Sequence, residues 1–282
     1  MRTLEDFLFY YLANRRALPS TIQNFAHYRY DGYVGGSIDG TIDGDIDVSS
    51  NTSVTEHSPG VPRLLFMRHG ILLNRFFMAP MATFQRRHGF TVHNTSYPST
   101  RKTIQDHARD LYEEVRSVRE SAGNQDAEIY FVTHSLGGLV LRYMLTHHEV
   151  PGVCRAVQIV PPNQGAETAR RLKDDFGFKL LYGRHAGRQL TEDPSGIFTE
   201  CGIPADIDLG IIAGVSTPPM IIPTPLDTPH DCVVARSETV LGNFPVLDLR
   251  VGHTIALFVP AVWRQVAAFL DSGSFLEIEP EI

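Results

Sequence analysis

Ser135 stands in Thr133-His134-Ser135-Leu136-Gly137-Gly138, between a continuous apolar, β-favouring run (Ile129, Tyr130, Phe131, Val132) and a stretch from Leu136 with the apolar spacing of a buried helix. On such a strand-to-helix corner a serine is held in a cramped turn with its hydroxyl exposed, and the free N–H groups of the following helix face the same place. This is the pattern of a nucleophile elbow, G-x-S-x-G, with threonine in place of the first glycine. The plainer reading is an N-cap serine beside two glycines that let helix and strand pack closely. A serine hydroxyl is too weak a nucleophile at neutral pH unless a base takes its proton and a carboxylate fixes the tautomer of that base.

Among 12 histidines, His253 is the expected base, in the loop Arg250-Val251-Gly252-His253-Thr254 after an apolar strand. His134 adjoins the serine on the strand side and is expected to be packed and satisfied, while His147 and His148 end a helix, where a ring complements the last carbonyls. Asp231 is the expected acid, because Val233 and Val234 continue into buried structure and would hold its carboxylate rigidly. Its rival, Asp227, lies between Pro225 and Pro229 in a turn that suits an exposed aspartate, and Asp248 sits inside a strand. The oxyanion of a tetrahedral intermediate needs preorganised N–H donors, and the amides of Leu136 and of Ile71, after His69-Gly70, are the candidates. His69, Gly70 and His134 are expected to border the substrate. Taken alone, His69-Gly70 reads as a plain turn at a strand end.

The elements that must position these residues alternate from Leu64 onward as strands and helices, the mark of an α/β doubly wound, mostly parallel sheet. Buried strands are expected at Leu64 to Met67, Phe90 to Asn94, Ile129 to Val132, Val153 to Val160, Leu209 to Ala213 and Val246 to Leu249. Helices are expected around Arg75 to Arg87, over Thr103 to Arg119, where Ile104, Ala108, Leu111, Val115 and Val118 share one stripe, and over Pro260 to Leu270. Residues 166–205 break the rhythm with helical pieces that carry several phenylalanines and leucines among charges. They are read as a cap over the carboxyl ends of the strands, with an ordinary crossover helix equally compatible with the pattern.

Residues 1–60 are read as an extension. Leu4, Phe7, Leu8, Tyr11 and Leu12 predict an amphipathic helix over 3–16, and Gly-x-Ile-Asp recurs at Gly36, Gly40 and Gly44 with a period that favours strand. Asp43, Asp45 and Asp47 imitate the opening of an EF-hand loop, but Val48 and Val54 stand where that loop needs glycine and glutamate, so no metal is expected. A polar linker over 49–60 leads to the α/β domain over 61–275, and 276–282 form an acidic tail, expected to fray after Gly273. The chain of 282 residues is 43% hydrophobic, enough for one large domain, and its net charge of −7 without any basic block argues against a nucleic-acid partner. Cys154, Cys201 and Cys232 lie far apart, which argues against a disulfide framework and for a reducing compartment. No signal peptide and no membrane span is read, so a cytoplasmic location is expected and the two Asn-x-Ser matches, at Asn51 and Asn94, carry no weight.

His69-Gly70 after a buried strand, Asn94-Thr95-Ser96-Tyr97-Pro98-Ser99, the Thr133 to Gly138 elbow, Pro161-Pro162-Asn163-Gln164-Gly165, the Asp231 loop and Gly252-His253-Thr254 together resemble the lipase/esterase branch of the α/β-hydrolase superfamily. The resemblance covers roughly 61–275. It implies that Ser135 is the nucleophile, Asp231 the acid, His253 the base, and Ile71 and Leu136 the oxyanion donors, with carboxylic esters cleaved through an acyl-enzyme and no cofactor. It also implies a small-molecule or lipid ester as substrate, with an acyltransferase or a non-catalytic scaffold on the same fold as alternatives. Two positions depart from the family pattern: Arg68, where an apolar residue usually precedes His-Gly, and Cys232, where glycine often follows the acid.

Overall fold

Leu64 and Phe66 face one side of the first strand, β1 (Arg63–Arg68), and Leu65 and Met67 face the other, yet all four are buried. A strand that is apolar on both faces requires a layer on each, which is the setting of a parallel sheet. The computed structural model describes residues 60–121, 124–174, 184–191, 196–205, 207–215 and 229–277. The expected helix at 3–16, the Gly-x-Ile-Asp repeat, most of the linker, and Asp227 lie outside the described residues.

Among the described residues six strands form one sheet in the order β2-β1-β3-β4-β5-β6, and every neighbouring pair is parallel. The others are β2 (Thr91–Asn94), β3 (Glu128–His134), β4 (Val153–Ile159), β5 (Asp208–Gly214) and β6 (Val246–Leu249). The chain first winds outward from β1 to β2, then returns past β1 to build the rest of the sheet. The loops after β1 and β3 therefore diverge and leave a crevice at the carboxyl ends of these strands, where ligands bind in open α/β sheets.

One face is covered by α1 (Arg75–Arg87) and α8 (Pro260–Ser272), whose Met78, Met81, Val262 and Val266 pack with Leu65, Met67 and Tyr130. The other is covered by α2 (Ile104–Glu120) and α3 (Leu136–His147), whose Leu111, Val115, Leu139 and Val140 pack with Leu64, Phe66 and Phe131. Local chemistry sets the ends: Asn74 and Thr103 accept the N–H groups of Phe76 and Asp106 as N-caps, Pro260 opens α8, and Gly273 closes it in the left-handed conformation. Shorter helices are α4 (Glu167–Leu172), α5 (Ala186–Gln189), α6 (Ile197–Glu200) and α7 (Arg236–Thr239).

Parts of 166–205 and of the chain after Gly273 pack on the domain. Ala186, Leu190, Ile197, Phe198 and Cys201 are buried in the same core cluster as α2 and α3, so these parts of 166–205 pack as a crossover does. The reason is a buried cation: the Arg142 guanidinium on α3 donates to the carbonyls of Gly202 at 3.0 Å, Phe198 at 3.1 Å and Asn163 at 2.8 Å, which ties α6 and the Pro161 to Gly165 loop to α3. The chain after Gly273 also stays anchored as far as Leu276. Gln265 brackets the Leu276 backbone through its amide oxygen and nitrogen, and Phe275 packs on Phe269 with ring centroids 4.7 Å apart.

Candidate active site

Strand β3 ends at His134 and α3 begins at Leu136, so Ser135 alone makes the corner, at φ 52° and ψ −122°. This is strained backbone for a residue with a Cβ. The corner holds because both glycines after it are filled space: a Cβ on Gly137 would lie 2.6 Å from the Arg68 carbonyl oxygen, and one on Gly138 would lie 3.0 Å from Pro161 Cβ. The Ser135 N–H donates to the Ile159 carbonyl at 3.0 Å, which fastens the corner to β4.

The structure brings Ser135, His253 and Asp231 together. The Ser135 hydroxyl lies 2.9 Å from His253 Nε2, and His253 Nδ1 lies 2.6 Å from Asp231 Oδ2. A carboxylate only accepts, so the imidazole proton sits on Nδ1 and leaves the Nε2 lone pair to the serine hydroxyl. Asp231 is buried, and its other oxygen accepts the N–H groups of Val233 at 2.8 Å and Val234 at 2.7 Å. The two loops also join directly, because the His253 N–H donates to the Asp231 carbonyl at 3.0 Å. Cys232, directly after the carboxylate residue, takes φ 81°, the conformation that favours glycine.

Gly214 at the end of β5 is a site residue that the sequence reading missed. A Cβ there would lie 2.6 Å from both Asp231 Cβ and the Val251 carbonyl oxygen, so the acid and the loop of the base approach the sheet only over a glycine. A glycine that closes an apolar strand is the signal that marks such a close approach.

Gly70 lies directly against the serine, where a Cβ would stand 3.0 Å from Ser135 Cβ and 2.7 Å from His134 Nδ1. The amides of Ile71 and Leu136 donate to no partner among the described residues. His69 and His134 have no exposed surface to offer a ligand, at 0% and 1% exposure. His134 Nε2–H instead donates to the His253 carbonyl at 2.9 Å, and His69 Nδ1–H to the Gly70 carbonyl at 2.8 Å. Both rings brace the loops around the serine. Arg68 turns away from the site to pair with Glu114 on α2 and to bond Thr95, so its charge is neutralised below the β1 loop.

Burial pushes the pKa of His134 down to about 3, and of His69 and His107 down to about 4. All three stay neutral in the fold below pH 6.5, where their unfolded counterparts bind a proton, so acid favours the unfolded chain. The stability lost begins at 6.5 and grows until the folded values are reached. At pH 5 each histidine is expected to remove about 2 kcal/mol. Urea denaturation at pH 7 and pH 5 checks this, and equal midpoints would contradict it.

Residues 63–161 match the family model described as "Putative serine esterase (DUF676)". Among solved structures, the chain is similar to the mature lipase BlEst2 of Bacillus licheniformis, at 17% identity over 73% of this chain and 90% of that one, with a TM-score of 0.56. The chain has the α/β-hydrolase fold. An esterase of Pyrococcus furiosus, Pf2001, is similar at 20% identity over 75% and 83% of the two chains, with a TM-score of 0.51. The phospholipase PlaB of Legionella pneumophila is similar at 14% identity and a TM-score of 0.57, where 74% of this chain spans 56% of that one. No curated protein matches the chain. These likenesses fall in the lipase and esterase branch of the α/β-hydrolase fold, and no helix among the described residues is long and apolar enough to cross a membrane.

Proposed function

We propose that the protein is a serine hydrolase of carboxylic esters that works through an acyl-enzyme on Ser135. The observation that carries this reading is the unbroken line of hydrogen bonds from the Ser135 hydroxyl through His253 to the buried Asp231 carboxylate. His253 takes the serine proton as the hydroxyl attacks the ester carbonyl, and returns it to the leaving alcohol. It then activates water to release the acid. The amides of Ile71 and Leu136 carry the charge of the tetrahedral oxygen. The esterase family match over residues 63–161 supports the same chemistry.

A lipophilic ester suits the surroundings. Ile255 and Phe258 follow the base and are 51% and 39% exposed, and Phe76, just beyond the Ile71 loop, is 69% exposed. Single exposed apolar residues are ordinary, but these lie in the helical turns that directly follow the loops of the proposed base and oxyanion donor.

A fluorophosphonate probe tests the reading, because it reacts only with an activated serine. Mass mapping is expected to find the label on Ser135, and His253→Ala is expected to abolish it. A series of p-nitrophenyl esters of rising chain length then reports the acyl preference. A folded protein that takes no label, with or without detergent, and hydrolyses none of the esters would overturn the reading.

A further inference from the structure

The segment Asn94 to Ser99 leaves β2 and reaches across to the loop after β1. Five hydrogen bonds join them. The Tyr97 N–H donates to His69 Nε2 at 3.3 Å, the Tyr97 hydroxyl to the His69 carbonyl at 2.8 Å, and the Leu72 N–H to the Ser99 hydroxyl oxygen at 3.0 Å. Further along, the Arg75 N–H donates to Ser96 Oγ at 3.0 Å and the Asn94 side chain to the Arg75 carbonyl at 2.9 Å. The Tyr97 ring also stacks on the His69 ring, with centroids 4.4 Å apart.

Four of these bonds hold ordinary backbone. The fifth holds a strained residue: Leu72 has φ 63°, a conformation that suits glycine and is unfavourable for leucine. Gly70 to Leu73 is a turn closed by the Leu73 N–H on the Gly70 carbonyl at 3.3 Å. Positive φ at its third residue is the type II form, in which that position is ordinarily glycine. A leucine there relaxes unless something fixes the peptide before it. The Leu72 N–H belongs to that peptide, and Ser99 Oγ is its acceptor. Ser99 itself is buried, follows Pro98 and donates its own N–H to the Tyr97 carbonyl at 2.9 Å, so the hydroxyl is presented from a rigid place.

The turn held in this way carries Ile71 as its second residue. Oxyanion donors act by being in position before charge develops, and a donor that must reorganise loses much of its effect. We propose that Ser99 is the positioning residue of the oxyanion hole: its hydroxyl accepts the Leu72 N–H and so holds the strained turn that presents the Ile71 amide beside Ser135. The inference rests on the reading of Ser135 as nucleophile. Ser99 touches no reacting atom and acts through Leu72.

The test compares Ser99→Ala, Ser99→Thr and Ser99→Ala/Leu72→Gly with the wild type on a soluble p-nitrophenyl ester, with labelling by the fluorophosphonate measured in parallel. Ser99→Ala is expected to lower kcat about tenfold to a hundredfold, less than the outright loss of a donor, with KM within about twofold. Ser99→Thr keeps the hydroxyl and is expected to keep most of kcat. The double variant is expected to recover part of the loss, because glycine adopts the turn without strain. A purely structural role for Ser99 would lower stability without this kcat-against-KM split and without rescue at residue 72. Should Ser99→Ala not fold, Ser99→Cys, of similar size with a weak acceptor, carries the same comparison. Wild-type kcat in the variant that folds, a loss seen in KM alone, or a double variant no better than its Ser99 parent would overturn the proposal. A wild type that neither takes the label nor hydrolyses the ester would instead overturn the reading of Ser135.

Discussion

Ser135→Ala is expected to lower kcat for ester hydrolysis about a million-fold and to leave the fold intact. The Ser135 hydroxyl bonds His253 Nε2, while the corner is held by the Ser135 N–H on β4 and by the close packing of Gly137 and Gly138. Alanine removes the first and keeps the rest. It also keeps the Cβ, and hence the strain at φ 52°, so the melting temperature is expected to stay within a few degrees of the wild type. Turnover and thermal unfolding measured on one preparation decide the point, and a folded variant with wild-type turnover would remove Ser135 from the mechanism.

Asp231→Asn is expected to cost about 10,000-fold in kcat, although it changes a single oxygen to nitrogen. Asp231 Oδ1 accepts two backbone N–H groups, from Val233 and Val234, and only an oxygen can occupy that position. The asparagine amide group must then face His253 Nδ1, which it can only donate to. That forces the imidazole proton onto Nε2, where it meets the serine hydroxyl and can take no proton from it. The two N–H bonds survive, so the variant is expected to fold. Hydrolysis within about tenfold of the wild type would mean that Asp231 does not set the tautomer.

Much of this arrangement is legible in the residues. The apolar run before Ser135 and the glycines after it mark the corner, because a strand buried on both faces and a helix packed against it leave few other patterns. Asp231 is distinguished from its rivals by the apolar Val233 and Val234 beyond it, and the structure supplies a sharper reason: their N–H groups, more than their side chains, hold the carboxylate. The strained positions are illegible. Leu72 and Val160 both take positive φ near the site, yet neither is glycine or asparagine, the residues that announce such a conformation. Their backbone is fixed by partners distant in the chain, as Ser99 holds Leu72 and as the Ile212 carbonyl accepts the Val160 N–H at 2.8 Å. Arg68 is illegible for the same reason, since its carboxylate partner lies on the helix after the next strand. Only the spatial neighbour explains these residues, and local spacing does not encode it.

Strand β6 is four residues long and, among the described residues, lies at the edge of the sheet, paired on one side only. Ser135 rests on β3 at the centre, whereas His253 hangs from the loop that β6 ends in. Short edge segments open locally at a smaller free-energy cost than central strands, so the two halves of the hydrogen-bonded line belong to regions of unequal persistence. Fraying at that edge would withdraw the base while the serine corner stays folded. Loss of turnover under mild denaturant would then report the opening of one margin of the molecule, ahead of the cooperative collapse of its centre.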